Sequence, residues 1–204
     1  MNFKDIDFSK VSQILNSMSD EEKENLANMA QDMMKNMNKP QEEEVEEEAQ
    51  DMYSFLNIEE EEYADLPGTV LDEMEQASEL EQYYEDVKES DFSASALFYG
   101  KAVLNMCRKY QYPIFSNLFD GFKNVNMTTL YNYYFVLMND ENIRKLSDEG
   151  FGNQQDWIQV RLLLQQMYIL VNRAEYDTIR YEDIQSIKNI LFDQKGLLLV
   201  KECI

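Results

Sequence analysis

Apolar side chains recur along this chain mostly at steps of three and four, the spacing of one face of an α-helix. Val11, Ile14, Leu15 and Met18 form a first such face, and Leu26, Met29, Ala30, Met33 and Met37 a second. Ser19 and Glu22 stand between them at the spacing of a capping box, and Asp20 and Glu21 suit the positive end of the second helix. Pro40 closes it. Residues 1–40 therefore read as a methionine-rich helical hairpin.

The pattern then changes. Residues 41–68 hold two near-pure glutamate runs with no lysine placed to offset their repulsion, a composition expected to stay solvated and disordered. Between the runs lies a short apolar island, Met52, Tyr53, Phe55, Leu56 and Ile58. Pro67-Gly68 reads as a breaker.

Helical spacing resumes from residue 69 with Val70, Met74, Ala77, Leu80, Tyr84 and Val87. Residues 92–110 are apolar nearly all round, interrupted by the stripe Lys101, Asn105, Arg108 and Lys109, which predicts a central helix ended at Pro113. An aromatic helix over 128–138, a loop at 148–153 and a long helix over 154–172 with Trp157 as a core anchor come next. A further helix carries Ile184, Ile187 and Leu191 and is predicted to stop at Lys195-Gly196. Leu197–Val200 then reads as a buried strand or a docked extension. No internal repeat is found. The expected fold is all-α: hairpin 1–40, flexible acidic linker 41–68, and a multi-helix bundle over 69–204.

Charge sharpens this division. The chain carries a formal −22, but residues 20–90 hold 25 acids against four lysines, a net of −21, whereas 91–204 hold 13 acids against 12 bases, a net of −1. So acidic a leader is repelled by nucleic-acid phosphates and anionic membranes and attracts basic partners. No signal-peptide core and no apolar run of membrane length is present, and two distant cysteines fit free thiols better than a disulfide framework. These features point to the cytoplasm.

The same sequence excludes much catalytic chemistry. Without histidine there is no Ser-His or Cys-His pair and no histidine-bearing metal site. No glycine-rich phosphate loop exists, so no nucleotide cofactor is expected, and no resident metal either. Asp72, Glu75 and Glu79 share a helix face suited to Mg²⁺, but no second acidic helix matches them, and a solvated face explains them.

Three features remain as candidate partner sites. Met29, Met33 and Met37 offer a polarizable face of the kind used on adaptable binding surfaces, or pack on the chain's own helices. Tyr53, Phe55, Leu56 and Ile58 resemble a linear motif kept exposed by flanking acids, or a linker brushing the protein's own surface. Lys101, Arg108 and Lys109 form a stripe able to receive the acidic segment, or the wet edge of a core helix. Tyr131, Tyr133, Tyr134 and Phe135 lack a basic groove for base stacking and are expected in the core. The reading is a non-catalytic interaction or regulatory protein with a protein partner, a basic one suiting the charge. The alternatives are a nucleic-acid mimic and, more remotely, a carboxylate-metal hydrolase.

Overall fold

The computed structural model describes residues 51–204 apart from Glu85, Asp86 and Lys88. The expected hairpin, its capping box and Met29, Met33 and Met37 lie outside the described residues. Within them the secondary structure is helical throughout, without strands. In chain order the α-helices are α1 (Met52–Leu56), α2 (Glu60–Tyr63), α3 (Gly68–Tyr83), α4 (Ser93–Met106), α5 (Tyr112–Leu118), α6 (Leu130–Leu137), α7 (Asp140–Asp148), α8 (Gln154–Tyr176), α9 (Tyr181–Lys188) and α10 (Gly196–Glu202).

The described part of the acidic segment, residues 51–68, is helical and packs on the bundle. Asp51 caps α1, accepting from the Ser54 backbone at 3.3 Å, and Asn57 ends it in the left-handed conformation. Met52, Leu56, Tyr63 and Leu66 are all buried. Each buried apolar side chain of this size contributes roughly 1.5–3 kcal/mol, enough to hold a short acidic helix that would not form alone. Tyr63 packs edge-on against Phe192 at 6.2 Å.

Helix α4 is the centre, lying between α3 and α8. Its buried residues include Ala96, Tyr99, Gly100, Val103 and Met106. A side chain at Gly100 would place Cβ 2.3 Å from Cγ2 of Val171, so glycine permits the close approach of α4 and α8. The Ser93 hydroxyl donates to the Asp177 carbonyl at 3.2 Å, which makes the two helices antiparallel.

Pro113 does not end this helix as its sequence position predicts. The chain widens into a π-turn over Cys107–Gln111, in which the Tyr112 amide donates to the Cys107 carbonyl five residues back, and then continues as α5. Pro113 falls in the first turn of α5, where a missing N–H costs nothing. A second π-turn, Asn189–Asp193, extends α9.

Two further expectations change at the carboxyl end. The left-handed stop is Lys195 itself, with φ of 54°, and Gly196 instead begins α10. Gly196 is required by proximity, since an added Cβ would lie 2.6 Å from the Ile190 carbonyl oxygen. Leu197–Val200 is helical, with Leu197, Leu198 and Val200 buried. Trp157 is fully buried and donates to the Phe151 carbonyl at 2.7 Å, tying the 149–153 turn to α8.

Candidate functional site

The apolar island is turned inward. Leu56 is 4% exposed, and Tyr53, Phe55 and Ile58 are half-buried against the core. The Lys188 ammonium lies 4.1 Å from the centre of the Phe55 ring. An exposed linear motif is therefore replaced by a segment bound to its own bundle, because the side chains that would attract a partner find an apolar surface in cis.

The cationic stripe is likewise divided. The Arg108 guanidinium donates to the Thr128 carbonyl at 2.7 Å and the Asn126 carbonyl at 3.3 Å, stapling the 125–128 turn to the π-turn. Lys101 pairs with Glu73 at 3.7 Å and sits 4.4 Å over Phe98. Lys109 is exposed. The acid that Lys101 meets belongs to α3, beyond the expected linker, and residues 41–50 of the acidic segment lie outside the described residues.

Lys188 also forms the innermost ion pair, meeting Glu81 at 3.1 Å with the two side chains 13% and 1% exposed. The Tyr99 hydroxyl donates to the same carboxylate. Burial, and then the Glu81 charge, hold the Tyr99 hydroxyl far above its usual range. This network joins α3, α4 and α9 in the core.

An apolar groove of about 530 Å³ lies open on the bundle. Its walls are Ala94, Leu97, Phe98, Gly100, Lys101 and Leu104 of α4, Thr129, Leu130 and Tyr131 at the start of α6, and Tyr168, Val171, Asn172 and Glu175 of α8. The lining is chiefly apolar, with polar groups at the edges. The Thr129 hydroxyl is engaged with Asn132 at 3.0 Å and the Lys101 ammonium with Glu73 at 3.7 Å. Such a surface suits binding.

The groove is continued by an exposed stripe along α6 and its C-cap. Tyr131, Phe135 and Met138 follow one another at helical spacing and are 43%, 58% and 53% exposed. Tyr131 contacts Phe135 at 5.6 Å and Tyr168 at 5.4 Å between ring centres. Phe135 and Met138 edge a second hollow of about 570 Å³ with Leu118, Phe119 and Lys145. Of the aromatic segment, only Tyr133 is fully buried, where it meets Thr128 through its hydroxyl at 3.1 Å.

Comparisons with models of known protein families, with curated proteins and with solved structures give no match for this chain. The site is read from its own chemistry.

Among the described residues no group of three or more acids or cysteines is placed to hold a metal ion, and Asp72, Glu75 and Glu79 do not converge with others. Cys107 and Cys203 are free and buried; burial pushes the Cys203 thiol up to about 12 and Cys107 higher still, which suppresses thiolate reactivity. No described helix is long and apolar enough to cross a membrane.

Sequence reasoning missed the groove because a helix apolar on every side reads as buried. The signal available was that 128–138 contains no charged residue, yet holds more large side chains than one buried face needs.

Proposed function

We propose that this chain is a non-catalytic protein-interaction protein, acting in the cytoplasm, whose bundle holds a partner in the groove between α4, α6 and α8. The observation that carries this reading is a chiefly apolar hollow continued by Tyr131, Phe135 and Met138 on an adjoining helix face. Exposed apolar surface of this continuity costs free energy in water and is kept where a partner covers it. Tyr131 and its aromatic neighbours supply large, rigid anchors of the type that dominates interface energetics. The face Met29, Met33 and Met37 remains a second proposed surface, read from sequence alone.

The test is affinity capture with the intact chain as bait, washed at moderate salt and compared with a heat-denatured bait. A protein retained only by the folded bait is the expected result. A folded bait that repeatedly retains nothing beyond the control overturns the reading.

A nucleic-acid mimic is the second reading. It is favoured by one observation: Asp51, Glu59 to Glu62, Asp65, Asp72, Glu73, Glu75, Glu79 and Glu81 stand on or beside helices α1 to α3 rather than in a loose tail. Under this reading the captured protein is a DNA- or RNA-binding one, and added nucleic acid displaces it.

A further inference from the structure

The groove also indicates the chemistry of its occupant; this step rests on the interaction reading above. We infer that the groove between α4, α6 and α8 takes an amphipathic helix of a partner protein, apolar on the face it buries and lysine- or arginine-rich on its flank.

The shape argues for a helix. Along α4 the walls run from Ala94 to Leu104, which at 1.5 Å per residue is about 15 Å, close to three helical turns. The groove is bounded by helices on every side, and the described residues contain no strand whose edge an extended peptide could join. Rows of side chains on α4 and α8 leave the inclined channel into which the ridge of another helix fits. Leu97 lines this channel half-buried, Ala94 is exposed, and Tyr131 stands open at the side.

The charge argues for a basic flank. Glu175 lines the groove and is exposed in the last turn of α8, where the carbonyl end of a 23-residue helix adds its own negative potential. Alongside runs α3, with Asp72, Glu75 and Glu79 exposed and no lysine or arginine. The cations nearby are already used. Lys101 pairs with Glu73, Arg108 donates to the Thr128 and Asn126 carbonyls, and Arg173 makes a two-pronged pair with Asp183 at 3.0 Å. A second copy of the chain fits this surface poorly, because pairing two grooves brings together two acid-only α3 helices on chains of −22 each.

The probe is a fluorescein-labelled designed peptide of about 14 residues, with leucine at i, i+3, i+4 and i+7 and lysine elsewhere, titrated against the full chain by anisotropy. The controls are the same composition scrambled, and the same pattern with glutamate for lysine. Saturable one-to-one binding is expected for the lysine peptide, weakening as salt rises. It should be at least about tenfold tighter than either control, since steering and apolar register both contribute. Leu97→Asn is expected to weaken binding about tenfold and Tyr131→Ala comparably, as for anchors at an interface centre, with Glu175→Gln costing roughly two- to threefold. Unchanged helicity and melting temperature show that each variant is folded. A benzophenone placed at position 131 should crosslink to the peptide.

Equal binding of the three peptides, no binding at all, or folded groove variants that bind like the wild type would each overturn the assignment. Crosslinking at position 131 to a second copy or within the same chain, undisturbed by the peptide, would also overturn it. The two readings fail separately. A partner captured equally by wild-type, Leu97→Asn and Tyr131→Ala baits removes the groove and leaves the interaction. Peptide binding that the variants abolish, with no protein ever captured, supports the groove and removes the interaction.

Discussion

Residues 51–84 and residues 91–204 share one core but obey opposite charge rules. The first stretch has eleven carboxylates and no lysine or arginine, while the second is nearly balanced. Yet the acidic stretch sends Met52, Leu56, Tyr63, Leu66, Val70, Met74 and Ala77 into the same interior as the rest. Acidity here belongs to the outer face of helices whose inner face is ordinary. The ion pairs show how the two stretches meet. Glu62, Glu73 and Glu81 reach Lys195, Lys101 and Lys188 of the balanced stretch, whereas the pairs Arg161–Asp140 and Arg173–Asp183 lie wholly within it. Lysine joins the regions and arginine braces one of them.

The largest effect that tests this comparison is alkaline. Burial, then the charges of Glu62 and Asp193, push the Tyr63 hydroxyl up to about 12, and burial raises Tyr99 and Tyr133 as well. A raised folded-state pKa means the unfolded chain ionises first. Stability is therefore fully present below about pH 10 and is lost as pH rises toward 12 and beyond. Circular dichroism against pH should show cooperative unfolding in that window, with the tyrosinate absorbance of the buried tyrosines appearing together with loss of helix. Tyrosinate absorbance that completes near pH 10 before any helix is lost would contradict it. The Tyr63 hydroxyl is buried without a hydrogen-bond partner. Tyr63→Phe should thus stabilise by about 1 kcal/mol and move the alkaline limit upward.

Next is the buried joint. Lys188→Met removes the ammonium that Glu81 meets at 3.1 Å and the charge above Phe55, so a loss of roughly 3–5 kcal/mol in urea unfolding is expected. Pairing it with Glu81→Gln should recover part of that, because a neutral amide in place of the carboxylate loses less when the ammonium is gone. If the double variant is as unstable as the single, the packing of Lys188 matters more than its charge.

How far these features were legible follows from what each depends on. The helices around Val70, Ala96, Trp157 and Ile184 were readable because one buried face imposes a period. The island 52–58 was visible as apolar, but its burial was not, since its acceptor surface is assembled in three dimensions from α3 and from residues as distant in sequence as Lys188. Pro113 misled because a π-turn relieves the clash that normally ends a helix. The groove was hidden for a related reason: periodicity reports which residues are apolar, and only packing decides which of Tyr131, Tyr133 and Phe135 find cover.

A smaller effect separates helix contact from charge. Gly100→Ala drives Cβ into Val171, and a cost of about 1–3 kcal/mol is expected, reduced by the better helix propensity of alanine. Val171→Ala in the same chain should restore stability. A neutral Gly100→Ala would show that α4 and α8 separate easily, leaving the groove floor softer than its geometry implies.

The smallest effect decides whether the exposed joints matter at all. Lys195 pairs with Glu62 at 2.6 Å, but the two side chains are 57% and 42% exposed, so screening leaves the pair about 0.2–1 kcal/mol. Against this stands its backbone, held at φ of 54°, where a non-glycine residue costs roughly 1–2 kcal/mol. Lys195→Gly removes both, and the strain is the larger, so a gain of up to about 1 kcal/mol is expected after the extra chain entropy of glycine is counted. Glu62→Gln removes only the pair, and should lose a few tenths at low salt and nothing at about 0.5 M. If Lys195→Gly instead destabilises at both salt concentrations, the surface lysines hold the acidic stretch to the bundle, and Lys188 is not the only joint with weight.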